Sequence, residues 1–436
     1  MRYFTVFFVF VCLSIQLIAQ EEKKESGWKI NGLAHLIGQM DGKDFSNTTP
    51  PHYYTVMKFR LGVEKQVFDD LKFKLEMQDS RLMGQAEGVM NNIHNLDLFE
   101  GYLEFNNVAN IPLAVQAGRF QMQYGTERII GRSFWHINER KFDGARLKYK
   151  RDNFAIDYFH IIQHNSTNYI LKIFPGLYPY PSEQSTSSGV YGFWSKIDFT
   201  EKNNLDLFAF MEANDTYDDM SNSFLTRNTA GMNYNYKSGD FETVMEFAYQ
   251  FGTAKTEILN SMGAIENKTE KDIAAYLGSL LFNYKLKPVA LELGGNIISG
   301  TDPDEKEKIN TYSNYLASKH KFYGLMDYFL DIKRGTGNLG LNDFYFKVAY
   351  PGLVKNFSGA VILHHFMSNK ESASGLNTFG QEIDLVFTYK VIKGTSIKFG
   401  GGIFLPGDLM KEMWRTNESE RSDPSFWSFI MIVSRL

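Results

Sequence analysis

From Met57 to Glu64 the residues run Met-Lys-Phe-Arg-Leu-Gly-Val-Glu, so that Met57, Phe59, Leu61 and Val63 fall on one side and Lys58, Arg60, Gly62 and Glu64 on the other. Lys72 to Gln78 repeats the scheme, as do Ala145 to Lys150 and Glu382 to Tyr389. Successive side chains of a strand point to opposite faces, so a period of two is a strand signal. No stretch of comparable length carries a helical period. Read end to end, the pattern predicts eighteen strands, at 28–41, 53–67, 70–83, 95–107, 111–121, 141–150, 153–163, 189–200, 203–213, 227–238, 240–252, 270–285, 287–300, 338–350, 354–367, 378–391, 394–405 and 424–436. An even number is what a bacterial single-chain barrel requires.

The connections sort by length. Every second one is tiny, as at Phe68-Asp69, Arg151-Asp152, Glu201-Lys202, Gly239 and Ile392-Lys393. The others are long: 42–52, 84–94, 122–140, 164–188, 214–226, 253–269, 301–337, 368–377 and 406–423. Outer-membrane barrels have short periplasmic turns and long outer loops. A soluble sandwich has no reason to sort its loops by parity. The expected fold is therefore all-β, a single transmembrane antiparallel barrel of about 18 strands. Tyr53, Tyr54, Phe105, Tyr158, Phe199, Phe404 and Phe426 lie near strand ends, where interface girdles are expected.

Composition agrees. Aromatic residues make up 15% of the chain, yet mean hydropathy is −0.30. Alternation between lipid and lumen produces that combination. Residues 1–20 read as a secretory signal peptide, with Arg2 ahead of an apolar run from Phe4 to Ala19 and cleavage after Gln20. The run is short of the about 20 residues a membrane helix needs. Residues 21–436 form the barrel. The one cysteine, Cys12, lies in the signal segment. A mature chain without cysteine has to rely on a closed, self-supporting fold. The formal charge of −4 is near neutral for 436 residues and argues against nucleic acid as a partner.

Four stretches, in order, resemble the alginate-export family of outer-membrane β-barrel porins. They are residues 59–81; the run with Gly118-Arg119, Tyr124-Gly125, Arg128, Gly131, Trp135 and Phe142 to Leu147; residues 320–329; and residues 380–390 followed by 399–408. The resemblance implies an eighteen-stranded barrel. It also implies an outer-membrane channel for passive passage of anionic or polyhydroxylated solutes, such as uronate polysaccharide or oligosaccharide, through a pore rich in arginine and lysine. The last strand ends in Leu436, where such barrels more often end in Phe.

The candidate pore lining follows. Lys58, Arg60, Lys74 and Arg81 belong to neighbouring strands, with Glu64, Glu76 and Asp79 as partial neutralisers. Arg119 ends an upward strand, Arg146 begins the next on its lumen face with Lys148 and Lys150, and Arg128 and Arg132 lie in the loop between. Arg119, Arg128 and Arg146 are expected to converge near the outer mouth, since rings of Arg and Lys select anions. The competing expectation is pairing of these arginines with Glu127, Glu139 and Asp143. Tyr124, Phe134 and Trp135 suit sugar stacking or loop anchoring. No catalytic motif is present. His364 and His365 are adjacent and point to opposite faces, so they cannot share a metal. The acidic run 301–308 reads as a solvated charge run. No cofactor is expected. The expected partners are outer-membrane lipid, an anionic or sugar-like solute, and the barrel-assembly machinery. The alternative reading is a plugged barrel that binds at its surface without transport.

Overall fold

The computed structural model describes residues 27–84, 95–165, 187–217, 221–259, 265–415 and 421–436. The signal segment and the Ser/Thr-rich run at 182–186 lie outside the described residues.

Eighteen antiparallel strands form the wall: β1 Lys29–Gly42, β2 His52–Phe68, β3 Leu71–Leu82, β4 Leu96–Phe105, β5 Leu113–Phe120, β6 Phe142–Arg151, β7 Phe154–Asn165, β8 Ser187–Thr200 and β9 Asn203–Tyr217; then β10 Ser221–Ser238, β11 Phe241–Leu259, β12 Ile265–Leu286, β13 Val289–Ile298, β14 Leu341–Val354, β15 Phe357–Met367, β16 Thr378–Ile392, β17 Thr395–Pro406 and β18 Ser425–Arg435. Each pairs with its chain neighbours, and β1 closes the ring on β18 from Leu33↔Arg435 to Gly42↔Phe426. A two-residue segment, Lys308–Ile309, adds a short parallel bridge to β12 at Asp272 and Ile273. The described helices are short: α1 Ile332–Gly335 and α2 Asp408–Trp414. None is long and apolar enough to cross a membrane, and the chain crosses with strands.

The strands form because closure gives every ladder group a partner, and lipid then selects the outward residues. On β11 the outward Phe247, Tyr249 and Phe251 are 41–45% exposed, while the inward Glu246, Ala248 and Gln250 are at most 4% exposed. The polar residues are thus more enclosed than the aromatic ones, the reverse of a water-soluble globule. The same parity places Tyr53, Phe105, Tyr158, Phe199 and Phe426 outward, each at least 38% exposed. Two of the expected girdle residues point inward instead. Tyr54 donates its hydroxyl to Gln39, and Phe404 is buried against Tyr328 and Phe329.

The eighteen expected segments are all present. Their ends differ most at 253–269, which was expected to be loop. There the β11–β12 ladder continues from Gly252↔Ile273 to Leu259↔Ile265. The run Thr253 to Leu259 does not alternate apolar with polar residues, so the pattern fades while the hydrogen bonds continue.

Depth decides the cost of a charge on the lipid face. Leu385→Arg, outward in mid-β16, is expected to destabilise the barrel by about 2–4 kcal/mol. Ile392→Arg, next to the periplasmic turn, is expected to cost about 0–1 kcal/mol. Urea titration of folding into lipid vesicles measures both.

Candidate functional site: two loops that fill the lumen

The third outer loop, 121–141, and the seventh, 299–340, fold into the barrel and lock together. Gly131 N–H donates to Leu316 O at 2.9 Å and Ser318 N–H to Glu127 O at 2.9 Å. Glu127 is the hub. Its Oε2 accepts the Ser318 hydroxyl at 2.8 Å and the Arg132 backbone N–H at 3.3 Å, and Lys321 Nζ lies 3.2 Å from Oε1. Burial opposes charge on Glu127, but Ser318, Lys321 and the Arg132 amide outweigh it and hold its pKa below the usual carboxylate range. Arg140 binds carbonyls only: Gly131 O and Ala317 O at 2.9 Å, Tyr315 O at 2.8 Å, and Leu316 O. Burial without a carboxylate pulls its pKa down to about 10. Gly131 sits at the junction because nothing larger fits. A Cβ there would lie 2.4 Å from Ser318 Oγ and 2.7 Å from Glu127 Cβ.

Both loops are also tied to the wall. Tyr124 donates to Asp157 at 2.9 Å and stacks on Trp194. Trp135 stacks on His320 of the seventh loop with centroids 3.9 Å apart and meets Phe429 of β18 edge-on at 5.1 Å. Arg128 Nε and the Thr126 hydroxyl both reach Glu246 Oε2 of β11, at 3.2 and 2.8 Å. From the seventh loop, Met326 N–H donates to Glu382 Oε1 at 2.9 Å, and Phe329 packs on Phe366 and Phe379. Gly324, at φ +85°, brings the backbone onto Glu382, whose carboxylate oxygens lie 2.6 Å from where a Cβ would stand.

Under the third loop, positive charge gathers around one ring. Phe134 stacks on His35 with centroids 4.8 Å apart. Lys58 Nζ lies 4.7 Å from the Phe134 centroid, and the guanidinium carbons of Arg132 and Arg435 lie at 5.6 and 5.1 Å. One carboxylate, Glu139, serves Lys58 at 2.8 Å and Arg60 at 2.9 Å. Among the described residues neither Arg132 nor Arg435 makes an ion pair.

The family model described as "Alginate export" matches residues 42–329. The chain belongs to the alginate-export family. No curated protein matches the sequence. Among solved structures, OprD of Pseudomonas aeruginosa aligns over 95% of this chain and 97% of its own, with 12% identity and a TM-score of 0.58. OccAB4 of Acinetobacter baumannii aligns over 95% and 99%, with 10% identity and a TM-score of 0.56. OpdK of Pseudomonas aeruginosa, crystallised with vanillate, aligns over 94% and 98%, with 11% identity and a TM-score of 0.54. At such identities the likeness is one of fold. Family and fold together make this chain an outer-membrane β-barrel of a channel-forming family.

In this alginate-export barrel six of the eight candidate lining residues face inward from the wall or lie in the inserted loop. Lys58, Arg60, Lys74 and Arg146 face inward. Lys74 pairs with Glu76 at 3.2 Å and with Glu100 at 2.5 Å. Arg146 donates to Gln116 at 2.8 Å and lies 3.9 Å from Asp157. Arg128 and Arg132 are in the third loop. Arg81 and Arg119 do not face the lumen. Arg81 shares the face of Asp79, its partner, and of outward Met77, so Asp79 leaves the lumen wall too. Arg119 forks onto Asp143 at 2.6 and 2.7 Å, and Asp143 sits opposite the outward Ile162. The expected convergence of Arg119, Arg128 and Arg146 therefore does not occur. Arg119 is on the outer rim, Arg146 is on β6, and Arg128 reaches across to β11.

Sequence reasoning missed Arg435 and the seventh-loop insertion. Parity marks the first, since Arg435 shares the face of Trp427, Phe429, Met431 and Val433. No local pattern marks the second.

Two outcomes follow from the junction. Gly131→Val is expected to weaken it by about 1–3 kcal/mol through overpacking, giving noisier single-channel currents from a barrel with unchanged heat-modifiable gel mobility. Acid acts on the same contact. Because the Glu127 pKa is lowered on folding, its contribution is present above the ordinary value of 4.5 and is lost as pH falls through the lowered one. Amide exchange at Gly131 and Ser318, corrected for intrinsic rates, is expected to rise in that window, and Glu127→Gln is expected to remove the pH step.

Proposed function

We propose that the barrel is a passive diffusion channel favouring anionic solutes of the uronate class, in sizes that pass the two inserted loops. The observation that carries the reading is the cluster at Phe134, where Lys58, Arg132 and Arg435 surround one ring and the neighbouring carboxylate, Glu139, is taken up by Lys58 and Arg60. Uncompensated positive charge within low-dielectric walls concentrates anions. Elsewhere on the same wall, cations and carboxylates offset one another, as in Lys148–Glu104 and Lys72–Glu64. The preference therefore belongs to the cluster and not to the wall as a whole. The segment 1–20 serves export, and the barrel-assembly machinery serves insertion. The interlocked loops favour the second reading, a plugged barrel that binds a partner at its surface.

Planar-bilayer recording of the full barrel in a salt gradient separates the two. A measurable current with an anion-selective reversal potential supports the channel, and a folded sample without current supports the plug. Neutralising the two unpaired members, Arg132→Gln with Arg435→Gln, is expected to move the reversal potential toward cation preference while the fold persists. An unmoved potential removes the cluster from the explanation.

A further inference from the structure

Two adjoining grooves of about 540 Å³ each cross the lipid-facing side of the wall between β10 and β17, and Leu293 and Phe344 line both. They exist because two outward positions carry no side chain. Gly278 stands between outward Tyr276 and Leu280 on β12, and Gly295 between outward Leu293 and Ile297 on β13. Neither is among the positive-φ glycines, so the backbone does not require glycine at either place. A Cβ at Gly278 would meet nothing within 4 Å, and one at Gly295 would reach only Phe344, at 3.4 Å. Glycine inside a strand weakens it, and it marks places where something else approaches the backbone closely.

Register sets the depth. Phe247, Gly278 and Ile297 lie in one ladder row, and the next row toward the outer mouth pairs Tyr249 with Tyr276. The grooves thus lie directly beneath an outer aromatic girdle, where the acyl chains of the outer leaflet meet their head groups. The Gly295 row runs on through Phe344 to His365 and Gln381. The row below it, with Leu293, Phe346, Leu363 and Ile383, is apolar throughout. His365 and Gln381 are therefore a polar pair at the head-group end of an apolar groove, and both line it.

The pair has a defined chemistry. Gln381 Nε2 lies 3.2 Å from His365 Nδ1. An amide nitrogen only donates, so Nδ1 accepts and the ring proton sits on Nε2. Among the described residues His365 Nε2 and Gln381 Oε1 have no hydrogen-bond partner. Side by side they offer one donor and one acceptor, the complement of a secondary amide. We propose that the groove seats an amide-linked acyl chain of an outer-leaflet glycolipid, with the chain along Gly295 and Gly278 and its amide on His365 and Gln381. The ester-linked chains of a glycerol phospholipid carry acceptors alone and would leave Gln381 Oε1 unanswered. The site lies on the outside of the barrel and does not depend on conduction through the lumen.

The test is native mass spectrometry of the full barrel in detergent, titrated with lipid A, whose glucosamines carry amide-linked chains, and separately with a phosphatidylethanolamine of equal chain length. One lipid A is expected to be retained at about tenfold lower concentration than the phospholipid, the difference of one or two hydrogen bonds. Gly278→Leu with Gly295→Leu fills open space without touching the ladder, so heat-modifiable mobility is expected to persist while lipid A retention weakens about tenfold or more. His365→Leu with Gln381→Leu keeps the groove and removes the donor and acceptor, and is expected to make the two lipids equal. The assignment is wrong if the unaltered barrel holds both lipids alike, or if the filled groove retains lipid A undiminished. A spectrum of paired barrels that become single on Gly278→Leu would overturn it in favour of a second copy as the occupant.

Discussion

Inside a bilayer there is no water to satisfy backbone N–H and C=O groups, and each one left unpaired costs several kcal/mol. A strand ladder meets this demand only if it has no edge, so β1 must find β18. Everything else in the molecule inherits that closure. It fixes the side-chain period at two and makes the outer face apolar. It also leaves a wide interior whose residues face no lipid and are free to be polar.

A polar interior is not by itself a pore. Charges that face one another across a lumen are desolvated by whatever fills it, and the two inserted loops fill much of this one. Most of the inward cations are consequently answered. Lys74 meets Glu76 and Glu100, Arg227 meets Glu212, and Arg128 meets Glu246. Removing one partner of such a buried pair strands the other and costs about 3–5 kcal/mol. Arg128 thus holds the third loop in place first, and the other pairs hold neighbouring strands, whatever solutes they meet. Arg140 holds a loop without any carboxylate, binding three carbonyls across the junction between the loops and one in its own.

The wall was legible because lipid imposes alternation on every strand that crosses it. Where lipid ends, as in the upper β11–β12 hairpin, the pattern stops and the ladder was read as loop. Parity was also the information needed to place Arg81 and Arg119. Arg81 is an odd number of residues from Lys74, and Arg119 from Gln116, so each falls on the face opposite the lumen. Type and proximity suggested a ring of arginines, but period two forbids it. The loops were illegible for a different reason. Their contacts join residues far apart in sequence, such as Glu127 with Ser318, and they turn at positive φ on Glu127, Tyr323 and Asp327, which no hydrophobic pattern encodes.

Charge in the lumen therefore has to be read as a difference and not as a count. A tally of lysines and arginines suggests a basic channel. Subtracting the carboxylates that touch them leaves little along most of the wall, and the remainder sits where partners run out. The Phe134 cluster meets that condition. At Phe134 the shortage is of carboxylates, because Glu139 is shared between Lys58 and Arg60 while Arg132 and Arg435 turn to the ring face instead. At Arg128, by contrast, the charge is matched by Glu246. A surplus like that at Phe134 acts through potential, over several ångströms and with salt sensitivity, whereas a matched pair acts on its own two residues.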